Sequence, residues 1–349
     1  MDIKSALQSL VDGQSLSREA MRDVMTAVMT GKTSPAQIGA LLIALRIRGE
    51  TIDEIVGAAE VMRSLVNRVQ VSQEHLIDLV GTGGDGANLF NVSTAATFVV
   101  AAAGGRVAKH GNRSVSSSSG SSDVLEQLGV PLTLDARQIA QCIDEVGLGF
   151  MFAPAHHGAM KHAVGPRKDL GMRTLFNILG PMTNPALVER QVLGVFTADL
   201  CQAMAESLSK LGSKHALVLH SHDGLDEISI AADTAVWEMR DGVVEQFTVT
   251  PADYGHRHRS LDGLGVSSPV ESADLIRSAL GQAGDDRSAR ARSIIALNAG
   301  AGIYVSGIEE SLRAGVSRAD EVIASGAALD KLDAFAAFTQ QLHQQDVTQ

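Results

Sequence analysis

The sequence runs to 349 residues, 45% hydrophobic and 20% charged, with a formal net charge of −11. That length holds a substantial core, in one large domain or two. The acidic balance argues against general nucleic-acid binding, which shows as a basic face, and any anionic ligand must be held by a local cluster of positive charge. Only two cysteines occur, Cys142 and Cys201, both within helix-like patterns. With no disulfide framework and no metal-type spacing, they fit a reducing, cytoplasmic setting. The start, "MDIKSALQSLVDG", has no apolar signal-peptide core. Apolar runs such as "TFVVAAAGG" are too short to span a bilayer.

In chain order, the first seventy residues read as consecutive helices. Ile3, Ala6, Leu7 and Leu10 form a helical stripe ending at Gly13. Ser17 caps a second helix that stops at Gly31, and Ser34 before Pro35 opens a third. Thr51 with Glu54 forms a capping-box pattern for a fourth, running to about Asn67. The apolar residues Ile43, Leu45 and Ile47 suit either a subunit contact or the module's own core.

From residue 75 the period changes. "HLIDLVG" and "RVAKHG" read as short buried strands, followed by "STAATFVVAAAGG" and "SSDVLEQLG" as helices. "IAQCIDEVGLGFMFAP" is a helix and then a strand, and "LCQAMAESLSKLG" a helix before the strand "ALVLHS". Strands alternating with helices predict βαβ units and a mainly parallel sheet. Residues 165–185 break this rhythm with helix-like spacing between two Gly-Pro pairs, an excursion expected to return to the helical module. The predicted domains are therefore 1–70 (joined by 165–185) and an α/β domain of 71–164 with 186–349.

Four stretches carry chemistry. "LVGTGGDGANLFNVST" (79–94) lies between a predicted strand and helix, where an open α/β sheet places its ligands. Its glycines admit an anion close to backbone amides, at a helix N-terminus, although it matches neither the dinucleotide fingerprint nor the Walker pattern. "KHGNRSVSSSSG" (109–120) is a second such loop on the same sheet edge, with Lys109 and Arg113 for charge and serines for donors. Numerous fixed donors suit a ligand with several phosphates. In "HSHDGLDEIS" (220–229), adjacent Asp226 and Glu227 follow a strand; beside phosphate loops they point to Mg²⁺, and alone to a solvated acidic turn. In "APAHHGAMKHAVGPRKDLG" (153–171), His156, His157 and His162 have no standard zinc spacing. Arg167, in a Gly-Pro-Arg turn, offers a planar fork to a small carboxylate, or pairs with Asp169 and pins the turn.

Together "GTGGDG", "NVST", "KHGNRSVSS", "HHGAMKHAVGPR", "LFNILGPMTNP" and "DGLDE" resemble the anthranilate phosphoribosyltransferases of tryptophan biosynthesis, in order and over nearly the whole chain. The resemblance implies a small all-helical N-terminal domain with a larger α/β domain. It also implies a homodimer through the helical domains, and transfer of phosphoribose from 5-phosphoribosyl-1-pyrophosphate to anthranilate, using Mg²⁺. By matching position, Gly81, Gly84, Asp85, Asn91, Val92, Ser93 and Thr94 would contact the donor. Lys109, His110, Gly111, Asn112, Arg113, Ser114, Val115, Ser116, Ser117 and Ser121 would form the other wall of that pocket. Ser93, Asp226 and Glu227 would hold Mg²⁺. Gly81, Asn112 and Arg167 would hold anthranilate, with His110 and His157 along its path. Two positions depart from the family pattern. Leu89 stands where relatives often carry Thr, and Ser118 where many carry Lys, which implies weaker donor binding. Pyrimidine nucleoside phosphorylases share this architecture, but "KHGNR" differs from their second loop. A non-catalytic nucleic-acid-binding relative is opposed by the net charge and by the Asp226–Glu227 pair.

Overall fold

The computed structural model describes residues 1–114 and 118–347. Four helices come first: α1 (Ile3–Val11), α2 (Arg18–Met29), α3 (Pro35–Arg48) and α4 (Ile52–Leu65). Their starts are those the sequence marks. Ser17 accepts from the Ala20 amide, and Ser34–Gln37 and Thr51–Glu54 both close as capping boxes. Glu54 is fully buried, where it also takes the Leu16 amide and the Arg48 guanidinium, so this capping acid ties α4 to the end of α3 and to the link between α1 and α2.

The chain then enters the α/β region with β1 (Leu76–Gly81), α5 (Val92–Ala102), β2 (Arg106–Gly111), α6 (Ser121–Gln127), α7 (Ala136–Val146) and β3 (Leu148–Phe152). The excursion follows as α8 (Ala153–His156), α9 (Lys161–Leu170) and α10 (Leu175–Met182). Next come β4 (Arg190–Gly194), α11 (Cys201–Lys210), β5 (His215–Ser221), β6 (Thr234–Arg240) and β7 (Val243–Val249). The end is helical: α12 (Pro269–Leu280), α13 (Asp286–Ser306), α14 (Leu312–Ala324) and α15 (Ala327–Val347).

The seven strands form one sheet in the order β3-β2-β1-β4-β5-β6-β7. The first five in that row pair in parallel, and β6 and β7 add an antiparallel edge. One apolar core lies between the sheet and α5, α7, α12, α13, α14 and α15. The other joins the opposite sheet face, through Leu193, Val195, Ala216 and Val218, to α1–α4 and to Leu175, Ile178 and Leu179 of α10. The excursion thus shares its apolar side with the N-terminal helices.

Chain order reverses between β1 and β4, where the connections leave in opposite directions. Such a switch point opens a crevice at the carboxyl ends of the strands.

Candidate active site

Five segments reach that crevice. The loop after β1 (residues 82–91) and the described parts of the loop after β2 (112–114 and 118–120) lead into α5 and α6, and α8 follows β3 directly. Phe196 follows β4, and the turn with Asp226 and Glu227 follows β5. Both predicted loops therefore lie at one sheet edge, as their strand–loop–helix order requires.

The acidic turn is pressed onto the strands. The Asp226 main chain crosses over Gly194 so closely that no side chain would fit there, and a Cβ at Gly81 would come within 2.5 Å of the Asp226 carboxylate. The Gly83 amide donates to Asp226 Oδ2 at 2.9 Å, and the Ser93 amide to Glu227 Oε1 at 3.2 Å. Asn298 of α13 fixes the turn from behind, accepting the Ile228 amide at 2.9 Å and donating to the Ile228 carbonyl at 3.0 Å. Burial pushes Asp226 up to about 6, and the neighbouring Asp85 pushes the same way. Glu227 is raised well above the carboxylate range by burial and then by Asp226. Three carboxyls crowd one site with too little compensating charge.

Among the described residues, Lys109 is the one cation beneath them, 3% exposed on β2. Its Nζ donates to the Leu79 carbonyl at 2.6 Å and to Ser93 Oγ at 3.3 Å. Burial lowers its pKa, while Asp78 and Glu227 oppose the shift. Asp78 is fully buried on β1, raised to about 6 by burial, and accepts from Asn184 Nδ2 at 2.7 Å and from the His110 amide at 3.3 Å. Neither Asp78 nor Asn184 was picked out from the sequence. An acid in the apolar run "LIDLVG" was the available signal for the first.

The remaining predicted residues divide. Asn91 is satisfied within the protein: its Oδ1 accepts from Ser119 Oγ at 2.7 Å and Ser272 Oγ at 2.8 Å, so it staples the two loops and α12 together. Asp85 Oδ1 accepts the Ala87 amide at 3.1 Å. Val92 and Thr94 are buried on the first turn of α5. Gly111 packs against Phe150 and Ser121 Oγ, and Ser121 donates to the Asn112 carbonyl at 3.4 Å. The Ser114 amide donates to Asp123 Oδ2 at 3.0 Å.

Arg113 does not face the acids. It is half-exposed and paired with Asp123 at 3.0 Å and Glu126 at 2.6 Å, because α6 presents both carboxylates to the loop before it. Leu89 packs on the core and bridges to Gly265, and the Ser118 amide donates to Asn88 Oδ1 at 3.2 Å. Val115, Ser116 and Ser117 lie outside the described residues.

The histidines point in different directions. His156 Nδ1 lies 2.8 Å from the Asn67 carbonyl, and the His162 ring lies against Gly31 at the end of α2. The His110 and His157 ring centroids lie 5.1 Å apart with the rings tilted by 51°, and the Nε2 atoms of both are buried without a partner among the described residues. Burial, before any neighbouring charge, depresses both: His157 to about 4 and His110 well below its ordinary value. Both rings are neutral at pH 7, a weakly polar lining for an aromatic guest. A histidine depressed in the fold binds fewer protons than in the unfolded chain, so stability is lost as pH falls from about 6.5 to about 4. We expect His157→Gln to flatten that limb by about 3 kcal/mol, measured by urea unfolding at pH 7.5 and pH 4.5. An unaltered acid limb would show that His157 is not held neutral.

Arg167 corrects one expectation. It lies not in a Gly-Pro-Arg turn but near the end of α9, with Pro166 inside the helix. Pro166 is buried and lacks the N–H for the fourth carbonyl back, yet the helix continues to a left-handed cap at Gly171. Nor does Arg167 pair with Asp169. Its guanidinium stacks on Phe176 of α10, 5.2 Å from the ring centroid, and no carboxylate lies within ion-pair distance among the described residues. Burial alone lowers its pKa. A half-buried cation without a countercharge among the described residues can seat an anion.

Comparison with known proteins converges on one family. Residues 4–66 match the profile of the glycosyl transferase family helical bundle domain, and residues 73–329 that of its a/b domain. An anthranilate phosphoribosyltransferase of Cellvibrio japonicus is 58% identical, covering 98% of this chain and 100% of that one. Another, of Saccharophagus degradans, is 59% identical over 97% of this chain and 99% of its own. The chain belongs to the anthranilate phosphoribosyltransferase family. Among solved structures, the Thermus thermophilus anthranilate phosphoribosyltransferase superposes with a TM-score of 0.89 at 41% identity, covering 96% and 99% of the two chains. The Saccharomyces cerevisiae enzyme, solved in complex with PRPP and Mg, gives 0.86 at 27% identity, covering 97% and 98%. The helical domain and the mostly parallel α/β domain implied by the sequence are thus the architecture of anthranilate phosphoribosyltransferases.

Proposed function

We propose that this chain transfers the phosphoribosyl group of 5-phosphoribosyl-1-pyrophosphate to the amine of anthranilate, releasing pyrophosphate, with Mg²⁺ as cofactor. The observation that carries the reading is the convergence of Asp226, Glu227, Ser93 and Lys109 under a glycine loop at the switch point. The donor set fits Mg²⁺. It is all oxygen, it offers two carboxylates raised by burial and mutual repulsion, and it leaves further positions to substrate phosphates. When bound, the ion neutralises charge on the pyrophosphate leaving group.

The chain's own residues do the rest. The amides of the 82–91 loop, the start of α5 and the serines of 112–121 cradle the donor's phosphates. Lys109 supplies positive charge where the leaving group becomes more negative. Arg167 takes the anthranilate carboxylate, while neutral His110 and His157 line its path with Asn112 and Gly81. The aromatic amine is neutral at pH 7 and attacks without a base, so orientation over the ribose C1 supplies the other large term.

The domain division at about residue 70, with 165–185 returning to the helical part, is part of this reading. So are a homodimer through the helical domain and a cytoplasmic location. Val11 at 76% and Ile47 at 81% exposure give the helical domain apolar surface to bury. No helix among the described residues is long and apolar enough to cross a membrane.

Purified protein is expected to consume anthranilate fluorescence only with donor and Mg²⁺ both present. Consumption without the donor, or none with the complete mixture, would refute the reaction.

A further inference from the structure

Arg173 lies in the short link between α9 and α10, beside the helix that carries Arg167. Its guanidinium crosses from this helical segment to the α/β domain. It stacks on Phe196 with 4.0 Å to the ring centroid and donates through Nη2 to the Gly84 carbonyl. Gly84 makes room for it: φ there is +77°, and a Cβ would stand 2.5 Å from Nη2. Phe196 is itself tied to the same loop, its amide donating to Thr82 Oγ1 at 3.0 Å. No carboxylate lies within ion-pair distance of Arg173 among the described residues, where the carbonyl and the ring are its partners.

The glycine loop is thus held at two adjacent residues, on the peptides either side of the Gly83–Gly84 bond, by two different segments. Asp226 takes the Gly83 amide from the sheet side, and Arg173 holds the Gly84 carbonyl from the helical side. Fixing a carbonyl fixes the plane of its peptide, and so the direction of the next amide, at Asp85. Amide direction decides whether such a loop can cradle an anion.

We propose that Arg173 is a positioning residue for the donor, acting through Gly84 and Phe196 to hold the glycine loop against the acceptor-carrying helices. This rests on the phosphoribosyl-transfer reading above. A charge-assisted bond to a backbone carbonyl is worth more than a neutral one, and a planar guanidinium can stack and donate at once where an ammonium cannot. Arg173→Ala therefore loses both functions, Arg173→Lys keeps the charge and a donor, and Phe196→Leu removes only the platform.

The test compares these three variants with the unaltered protein. Steady-state rates are measured with each substrate varied in turn, affinity for magnesium pyrophosphate by calorimetry, and thermal unfolding in parallel. The unaltered protein's own turnover tests the reaction, so failure of that reading shows there and not in the variants. Arg173→Ala should raise the donor KM and weaken magnesium pyrophosphate about tenfold, with the anthranilate KM changed less than about twofold. Arg173→Lys should recover part of that loss, and Phe196→Leu should show a smaller effect of the same sign. Three results would overturn the proposal: an unchanged donor KM, an equal rise for both substrates, or a lowered Tm with pyrophosphate affinity intact. Should Arg173→Ala fail to fold, Arg173→Lys and Phe196→Leu decide alone, and native pyrophosphate affinity in both rejects it.

Discussion

Replacing Asp226 by Asn and Glu227 by Gln together should cost about a hundredfold or more in rate at a fixed, limiting Mg²⁺ concentration, and should make the ligand-free protein more stable. The two halves have one cause. Asp226, Glu227 and Asp85 repel one another in a half-buried pocket, and burial raises the first two further. Lys109 offsets part of that charge but is shared with Asp78. Amides of the same shape keep the Gly83 and Ser93 amides satisfied, since a side-chain carbonyl accepts as a carboxylate does. They remove the repulsion, and with it the affinity for a divalent cation. At pH 8 we expect a Tm higher by roughly 2–5 °C, alongside a displaced Mg²⁺ dependence. Stability given up for function is what such a site should show. An unaltered Mg²⁺ requirement would refute the metal assignment, and a lower Tm would show that the acids support the turn more than they strain it.

The parts of the site legible in the sequence are those where one short stretch carries the whole signal. β1 and β2 are short buried runs ended by Gly81 and Gly111 and followed by helices, so their loops and common edge follow from order alone. The N-terminal helix starts are equally local, since a capping box is written in four residues. Tertiary choices were not legible. Arg113, Arg167 and Arg173 are three arginines near glycines, and nothing local tells which one meets acids of its own. The fold gives Arg113 to Asp123 and Glu126, and leaves Arg167 and Arg173 on aromatic rings. α13 is buried nearly all round, so its inward residue Asn298 belongs to no apolar stripe that could have flagged it. β6 and β7 were missed for a different reason. They form an antiparallel edge on a parallel sheet, and β7 is largely solvent-facing, so neither reads as a continuous apolar run.

Arg167→Ala should raise the anthranilate KM about ten- to a hundredfold, the loss of one charge-assisted contact of about 1.5–3 kcal/mol, and leave the donor KM nearly unchanged. An acidic chain must supply a local countercharge for a carboxylate, and Arg167 is a half-buried cation with none of its own in the described structure. Its position is set before any ligand arrives. α9 is anchored by Ala163 in the helical core and capped at Gly171, and the guanidinium carbon lies over the Phe176 ring, 5.2 Å from its centroid. Arg167→Lys keeps the charge but offers neither the fork nor the stack, so it should recover only a small part of the loss. The fold should tolerate both changes, because the arginine's contribution to packing is one partly exposed side chain of α9 laid over Phe176 of α10. The Mg²⁺ dependence should stay as it is, since it does not depend on the acceptor's carboxylate seat. The separating measurement is steady-state kinetics with each substrate varied against a saturating partner, with Tm measured in parallel. An equal loss for both substrates, or a lowered Tm with the anthranilate KM intact, would mean that Arg167 holds α9 against α10 and not the acceptor.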